Sequence, residues 1–303
     1  MKILVLVFHF PPISGGGVVV ITDIINKFAE LGNEVTVITP DLKWDGEQFN
    51  PKINSKIKII RTITPSHTKI KIAARRCQSN IKKKAIEIGK FNNFDFIFTI
   101  FHPFHLVPKA AVEAGKELDI PSIIKVDDAI YQKVSGIKSI QRRIEKMING
   151  KTLRSGTKIL VSNNDTKKIV INEYNVKSEN ISIVPNGVDF DYFNTPKESI
   201  EKTTDLIFTG NMGYLPNEDA ALYLIKSIMP KLWKIDETIS LTIAGASPST
   251  ELLSLATERV KITGWVNDIR DEFNKAKIFL APMRQGTGLQ NKLLEAMSMR
   301  LPC

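Results

Sequence analysis

The stretch that decides the fold is Lys2–Thr39, which reads KILVLVFHFPPISGGGVVVITDIINKFAELGNEVTVIT. An apolar run at residues 2–8 is typical of a buried strand, and glycines follow at residues 15–17. Residues 18–31 then place apolar side chains at helical spacing, and a second apolar run predicts another strand at residues 34–39. Strand, glycine turn, helix and strand form the opening unit of a doubly wound parallel sheet.

The rest of the chain repeats this alternation. Further strands are predicted at residues 94–100, 121–126 and 157–162, and again at 206–210, 240–245, 260–266 and 277–283, with helices at 218–233 and 249–258. The charged stretch 197–205 between the two series is typical of a solvated linker. We therefore predict an α/β protein of two Rossmann-like domains with parallel sheets, at residues 1–186 and 205–303, joined by a linker at 187–204.

Composition narrows the class of protein. With 43% hydrophobic and 24% charged residues among 303, the chain can bury a sizeable core. The sequence has no apolar run near the ~18 residues that a spanning helix needs, and its opening run lacks a signal-cleavage pattern. The two cysteines, Cys77 and Cys303, have no neighbours at metal-ligand spacing. This argues for a reducing cytoplasm and against a disulfide framework or a zinc site.

The net charge of +10 is concentrated in two segments. Residues 69–90 hold eight Lys and Arg against Glu87, and residues 133–168 hold ten against Glu145 and Asp165. Such basic faces indicate an anionic partner, which includes phosphates, an anionic lipid surface and nucleic acid. Nucleic acid is the least favoured of the three, because the basic stretches lack interleaved aromatic residues.

Segment 69–90 has two interpretations when it is drawn as a helix. One stripe holds Ile70, Ala74, Cys77, Ile81 and Ile88, with Lys84 inside it, and the opposite face holds Lys71, Arg75, Lys82 and Lys83. The helix either packs on its own domain with a solvated basic face, or contacts an anionic membrane or an acidic acceptor.

Glycines follow three successive strands of the predicted second domain: Gly210 and Gly213, then Gly245, then Gly264. Because ligands of open α/β sheets bind outside the carboxyl ends of the strands, these glycines are predicted to line one crevice. In the first domain, the triplet Gly15–Gly17 likewise follows a predicted strand. Its consecutive glycines do not make a G-x-G-x-x-G fingerprint, so an NAD-dependent oxidoreductase is only a distant alternative.

The last strand leads into APMRQGTGLQNKLLEAMSMRLPC, residues 281–303. Thr287 and Gln290 have the spacing of a capping box, with Thr287 as the N-cap of a helix that carries Glu295. Arg284 and Lys292 flank this loop. A helix start is also an anion site, so capping and phosphate binding are compatible.

Several segments, in order, resemble the retaining, nucleotide-sugar-dependent glycosyltransferases of family 4, and especially the subset in bacterial exopolysaccharide synthesis. They are VSNNDTKK, VPNGVDFDYF, LIFTG, LTIAG, VKITGWVNDI and LAPMRQGTGLQNKLLEAMSMRLP. The resemblance covers nearly the whole chain. It implies the GT-B fold and a cytoplasmic enzyme, at the inner face of the membrane where its acceptor is lipid-linked. It also implies a second domain cut short at its C-terminus, since further strands and helices follow in the family.

The resemblance also implies the chemistry. The donor would be a nucleotide-diphosphate sugar, the acceptor a glycan or lipid-linked molecule, and neither a metal nor another cofactor would be needed. Glu295 would hold the ribose hydroxyls, and the loop Thr287–Gln290, including Gly288 and Leu289, would offer amides to the diphosphate.

Other positions of the family's donor site carry over too. Gly15 and Gly16 match the loop that closes over the phosphates, and Gly264 and Trp265 match the segment that meets the nucleobase. Gly210 and Gly245 complete the predicted crevice, together with Asn211 next to Gly210.

The chain departs from the family at three places. Thr287 stands where a second glutamate usually binds the donor sugar. The Arg and Lys that usually follow the F-x-G strand are missing, and Asn211 and Asn217 lie nearby instead. The leaving diphosphate still needs positive charge, so we hypothesise that Arg284 and Lys292 supply it.

The third departure is in the first domain. Asp127 replaces the histidine of the family's His-Asp pair, with Asp128 beside it. Asp127 is interpreted as a sugar-hydroxyl acceptor or acid/base group, or equally as a helix cap. His102 and His105 are alternatives on the acceptor side. Two other functions stay open: a nucleotide-sugar epimerase on the same fold, and a non-catalytic nucleotide-sugar-binding protein.

Overall fold

The computed structural model describes residues 1–13, 16–42, 50–63, 70–102, 106–127, 137–194, 201–285 and 290–303. The chain divides into two compact units, of which the first ends at Pro185 and the second begins at Asn186. Each unit is built on its own parallel sheet. The predicted α/β fold with two Rossmann-like sheets is thereby confirmed.

In the described part of the first unit, seven parallel strands form a sheet in the order β3-β2-β1-β4-β5-β6-β7. The strands are β1 (Lys2–Leu6), β2 (Glu34–Pro40), β3 (Lys58–Thr62), β4 (Phe96–Ile100), β5 (Ser122–Val126), β6 (Lys158–Val161) and β7 (Ile181–Ile183). Strand β3 was not predicted, because this short edge strand, KIIRT, has no run of buried apolar residues and is mostly exposed.

The helices of the first unit connect these strands. They are α1 (Gly16–Glu30), α2 (Ile70–Gly89), α3 (Val107–Leu118), α4 (Ile137–Ser155) and α5 (Asn164–Tyr174). Two residues of the apolar stripe predicted for segment 69–90, Cys77 and Ile81, are fully buried in one cluster with Leu4 and Ile97 of the sheet, and Ile88 packs against that cluster. The side chains of Ile70 and Ala74 lie outside the described residues. The structure therefore supports the interpretation of α2 as a helix packed on its own unit.

The described part of the second unit has four parallel strands in the order β10-β9-β8-β11. They are β8 (Thr204–Thr209), β9 (Leu241–Ala244), β10 (Val260–Ile262) and β11 (Ala276–Phe279). The helices are α6 (Leu215–Tyr223), α7 (Met229–Leu232), α8 (Thr250–Leu253), α9 (Ile269–Lys275) and α10 (Asn291–Ser298), with a π-helical turn at Leu224–Ile228 between α6 and α7.

Part of the predicted linker 187–204 belongs to the second unit. The ring of Phe193 meets that of Phe273 edge-on, with 6.5 Å between centroids, and Ser298 Oγ donates a 2.6 Å hydrogen bond to the Phe193 carbonyl. Residues 195–200 lie outside the described residues.

Two further observations concern the whole described chain. Cys77 is buried and Cys303 is exposed, and neither forms a disulfide. Among the described helices, none is both long enough and apolar enough to cross a membrane.

Candidate functional site

The carboxyl ends of β8, β9 and β10 meet at one edge of the second sheet, and a glycine follows each of them. The ladder of backbone hydrogen bonds continues into these glycines: Gly210 N–H donates to Ala244 O at 3.0 Å, and Gly245 N–H donates to Gly264 O at 3.1 Å. The three predicted crevice glycines are therefore neighbours along one edge. A Cβ atom at Gly264 would meet nothing within 4 Å, whereas at Gly210 and Gly245 it would collide with other protein atoms.

Gly245 is the most constrained of the three. A Cβ atom at this position would lie 2.0 Å from the carbonyl oxygen of Gly210, and its φ of +139° is one that other residues rarely adopt. No side chain fits between the turns at Gly210 and Gly245. Backbone packing is therefore a reason for glycine at position 245 that is separate from any ligand.

Lys292, on the first turn of α10, reaches this edge. Its ammonium lies 2.6 Å from Asn217 Oδ1 and 4.4 Å from the centre of the Phe208 ring. A Cβ atom on Gly210 would lie 3.1 Å from the same nitrogen. Burial lowers the pKa of Lys292 to about 8, and the nearby Glu295 partly opposes this shift. The edge thus carries a positive charge that has given up much of its hydration.

Two asparagines order the turn where the family usually has Arg and Lys. The Asn217 amide donates to Asn211 O at 2.9 Å, and Asn211 Oδ1 accepts from Gly213 N–H at 2.9 Å. Neither side chain supplies charge. Instead, Asn217 links the turn after β8 to the ammonium of Lys292.

Arg284 has a different environment. It donates to both carboxylate oxygens of Asp219 on α6, at 2.5 and 3.1 Å, and stacks 4.5 Å from the centre of the Tyr223 ring. Its side chain is half exposed. Asp219 therefore balances the charge of Arg284, whereas Lys292 directs its charge to the glycine edge.

Glu295 lies one helical turn after Lys292 and interacts electrostatically with Lys292 and Tyr192. Tyr192 stacks with Arg270, whose guanidinium carbon is 4.0 Å from the ring centre, and Arg270 is paired in turn with Asp268. Burial and Asp268 raise the pKa of Tyr192. The sequence analysis missed this Tyr192–Arg270 pair, although VDFDYF contains the tyrosine.

The helix that carries Glu295 begins later than the capping box predicts. Helix α10 starts at Asn291, and Gln290 is its N-cap with no side-chain capping bond. Asn291 Oδ1 accepts instead from Asn186 Nδ2 at 3.0 Å. The prediction of Thr287 as N-cap is therefore wrong, because Gln290 already has the extended backbone of a cap. Thr287, Gly288 and Leu289 lie outside the described residues.

The remaining predicted positions are partly described. Trp265 is 50% exposed next to Gly264, which has a φ of +68°. Gly16 is the first residue of α1, and Gly15 lies outside the described residues.

In the first unit, Asp127 directly follows β5. Its Oδ1 is 2.6 Å from the ammonium of Lys125, whose side chain is only 5% exposed. Two residues apart on an extended chain, the two side chains share one face. Lys125 is therefore a cation that compensates the acid at this strand end. Asp128 lies outside the described residues.

Two histidines follow the neighbouring strands of the same sheet, His9 after β1 and His102 after β4. Burial, with a smaller contribution from His102, lowers the pKa of His9 to about 4. His9 was missed by the sequence analysis, since a single histidine after an apolar run carries no pattern. His105 lies outside the described residues. No cluster of three His, Cys, Asp or Glu that could hold a metal ion occurs in the described part of either unit.

Two units, each built on a Rossmann-like parallel sheet, with glycines at the carboxyl ends of the strands of the second, fit the GT-B fold. Residues 14–192 match the family described as Glycosyltransferase Family 4, and residues 203–303 match Glycosyl transferases group 1. The chain belongs to glycosyltransferase family 4.

Two solved structures are similar to this chain in fold, and one curated relative is similar in sequence over part of it. HepE of Anabaena, solved with UDP and glucose, has a TM-score of 0.71 at 12% identity over 100% of this chain and 79% of that one. Sucrose-phosphate synthase of Thermosynechococcus elongatus has a TM-score of 0.72 at 13% identity over 99% and 80%. These two likenesses show the fold.

The curated relative is UDP-Gal:alpha-D-GlcNAc-diphosphoundecaprenol alpha-1,3-galactosyltransferase of Escherichia coli. It is 28% identical over an alignment of 167 residues, which covers 48% of this chain and 42% of the relative. The match thus spans less than half of the relative's length.

Proposed function

We propose that the protein transfers a sugar from a nucleoside diphosphate donor to a glycan or lipid-linked acceptor, with retention of the anomeric configuration, in the synthesis of cell-surface polysaccharide. Membership of family 4 supports sugar transfer. The HepE structures support a nucleotide-diphosphate donor, because they hold UDP or UDP-glucose. The name of the E. coli relative supports a lipid-linked acceptor, a GlcNAc joined to diphosphoundecaprenol.

The observation that carries the proposal is the glycine edge with Lys292 beside it. Backbone without side chains admits a bulky anion closely, and an ammonium there stabilises the charge that develops on the leaving diphosphate. Removing Lys292 from water makes its attraction to an anion stronger than that of a solvated lysine. Lys292 is therefore proposed to supply part of the positive charge that the missing Arg and Lys usually give to the diphosphate.

Arg284 is proposed to supply the rest of that charge, which requires the diphosphate to displace Asp219 from the guanidinium. The pair has two hydrogen bonds and the Asp219 side chain is only 19% exposed, so a dianionic ligand must compete with a well-oriented carboxylate for the guanidinium. Glu295 is proposed to accept hydrogen bonds from the ribose hydroxyls. The main chain at Gly264 and Trp265 is proposed to meet the nucleobase, and Asn211 and Gln290 to flank the phosphates.

On the acceptor side, we propose Asp127 as the group that accepts a sugar hydroxyl or exchanges a proton with it. Its ion pair with Lys125 fixes the carboxylate at the strand end. Thr287, Gly288, Leu289, Gly15 and Gly16 keep the roles that the family resemblance implies. Metal independence and a cytoplasmic place at the inner membrane face also remain predictions, as does a contact of residues 69–90 with an anionic membrane. For that contact Cys77 and Ile81 are not accessible, because both are buried in the core of the first unit.

The rival functions differ in what they release. An epimerase on this fold frees the nucleotide without transferring the sugar. A non-catalytic protein binds the nucleotide and turns nothing over; the threonine at position 287 and the uncharged Asn211 and Asn217 favour it.

A screen of nucleoside diphosphates and their sugars by thermal shift tests the proposal. A ligand at about 100 times its Kd stabilises the folded state by about 2.7 kcal/mol. The nucleotide that stabilises is then supplied as its sugar conjugate, with a glycan or polyprenyl-diphosphate sugar as acceptor. A new glycosidic product with the donor's anomeric configuration supports the proposal. Nucleotide release without transfer supports the epimerase, and binding without turnover supports the non-catalytic protein.

A further inference from the structure

Helix α4 carries an exposed apolar stripe that no step of the proposed function uses. Ile140, Ile144 and Met147 are 61%, 49% and 67% exposed. Spaced four and three residues apart, they share one face of the helix, and Asn149 and Leu153 are buried on the other side. Single exposed apolar residues are ordinary on soluble proteins, but a contiguous group marks a contact surface.

Cations flank this stripe. Lys151 continues it by one more turn and Arg143 borders it, and both residues are exposed. On the Arg143 side, a groove of about 330 Å³ between α4 and α5 is lined by Arg143, Lys146 and Arg154 together with Met147 and Glu173.

The partners of the other two cations are part of the fold. Arg154 donates to the Tyr174 carbonyl, and Lys146 is in contact with Glu173. Arg143 and Lys151 are therefore the cations that stand at the border of the stripe.

An apolar stripe with a basic border has the chemistry of a helix lying in a bilayer interface. The apolar side chains enter the boundary between headgroups and acyl chains, and the cations bind anionic headgroups. A second copy of the chain fits less well, because a two-fold pairing of this face would bring the same cations together. Nucleic acid also fits less well, because the stripe has no aromatic side chain on which bases stack.

We propose that the face formed by Ile140, Ile144, Met147, Arg143 and Lys151, named the α4 face, docks the protein on an anionic lipid bilayer. The proposal goes beyond sugar transfer and does not depend on it. It also differs from the predicted contact through residues 69–90, where Cys77 and Ile81 of the apolar stripe are buried in the core.

Co-sedimentation with vesicles tests the proposal without any donor or acceptor. The vesicles contain equal parts of phosphatidylglycerol and phosphatidylcholine, with pure phosphatidylcholine for comparison. One variant replaces Ile140, Ile144 and Met147 by Ser. Its matched control replaces Leu31, Ile63 and Phe91 by Ser, because these are equally apolar and 70%, 83% and 85% exposed elsewhere in the first unit.

A second pair of variants tests the charges. Arg143→Gln with Lys151→Gln removes two cations from the α4 face, and Lys83→Gln with Lys90→Gln removes two exposed cations from segment 69–90. Each cation near an anionic surface contributes enough that losing two lowers vesicle affinity by about tenfold or more. All positions are exposed, so thermal unfolding of each variant is expected to match the parent chain.

We expect both α4 variants to lose at least about tenfold in affinity for the anionic vesicles, and both controls to stay within about twofold. Equal losses in the controls, or no loss in the α4 variants, overturn the proposal. It is also overturned if the α4 variants instead lose oligonucleotide binding, or a dimer seen by sedimentation equilibrium. Nucleotide-induced thermal shifts in the same proteins report the donor site separately, so either idea can fail alone.

Discussion

One methyl group at Gly245 tests whether the glycine edge is as closely packed as the structure shows. Gly245→Ala places a carbon 2.0 Å from the Gly210 carbonyl at a φ of +139°. We expect the free energy of unfolding to fall by about 2–4 kcal/mol, measured by urea denaturation. Gly264→Ala is the control, since it has φ +68° but nothing within 4 Å, and should lose only about 1 kcal/mol. Equal losses would contradict close packing at Gly245.

Lys292→Met separates charge from folding. Without the ammonium we expect turnover to fall by about a hundredfold and the thermal shift given by a nucleoside diphosphate to disappear. Stability itself should stay the same or rise, because the variant no longer buries a charge. Lys234→Met, at an exposed position, is the control and should change neither property. If Lys292→Met binds nucleotide normally, Lys292 is not part of the nucleotide-binding site.

The pH dependence follows from the same residue. Its pKa in the folded chain, about 8, lies below the ordinary 10.5, so the cost of burying the charge is complete below pH 8 and shrinks as the pH rises towards 10.5. This lysine therefore makes the free energy of unfolding rise with pH in that window, and Lys292→Met should lack the rise. Nucleotide affinity should run the opposite way and fall as the pH passes about 8. Denaturation curves and titrations at several pH values between 7 and 10 measure both.

The pair at the end of β5 gives an asymmetric prediction. Asp127→Asn removes the Asp127 carboxylate from an ion pair with a lysine that is 5% exposed, whereas Lys125→Met removes the ammonium from a carboxylate that is 25% exposed. We expect the first change to cost about 3 kcal/mol of unfolding free energy and the second about 1 kcal/mol, because breaking an ion pair costs more where the charge that remains is more buried. Equal costs in denaturation experiments would show that the pair does not stabilise the fold as its geometry indicates.

The sequence alone predicts the positions of some of these residues but not of others. The glycines after successive strands were predicted as one edge, since strand order and parallel direction follow from the alternation of strands and helices. The pairing of Arg284 with Asp219 could not be predicted, because it joins residues 65 positions apart across the sheet edge. His9 and Tyr192 were not predicted for the same reason, because only contacts with residues distant in the sequence distinguish them.

At the scale of elements, α2 shows how a basic segment can be mainly structural. Ile81→Ala should lower the free energy of unfolding by about 2–4 kcal/mol, since Ile81 is fully buried against the first sheet. Lys83→Ala, two residues on at an exposed position, should change it by less than about 0.5 kcal/mol. Urea denaturation of the two variants measures the contrast, and a mild effect at Ile81 would reopen the interpretation of α2 as a membrane helix.

The elements of the second unit also show where periodicity misleads. The sequence predicts one helix at 218–233, but the structure interrupts it with a π-helical turn at Leu224–Ile228. Pro230 supplies the physical reason, because its ring has no N–H to donate and collides with the carbonyl four residues earlier in a regular helix. The predicted helix 249–258 shortens to Thr250–Leu253, where Ser249 caps it by accepting from Leu252 N–H.

For the whole molecule, two compact units predict two unfolding events. We expect calorimetry to resolve two transitions and a nucleoside diphosphate to raise the midpoint of only one, the second unit's, because the glycine edge and Lys292 lie there. Asp127→Asn should lower the other midpoint, which assigns the transitions. A single transition that shifts as a whole with nucleotide would contradict this expectation.

The two cysteines have a practical consequence for such experiments. Cys77 is fully buried and Cys303 is exposed in the second unit, so a thiol-reactive dye will attach at one place without any mutagenesis. Burial raises the pKa of the Cys303 thiol, so the attachment should be run in mildly alkaline buffer. The dye is then attached five residues after Ser298, the end of α10, and therefore close in sequence to the helix that carries Lys292 and Glu295. Its fluorescence will report nucleotide arrival at that helix in real time.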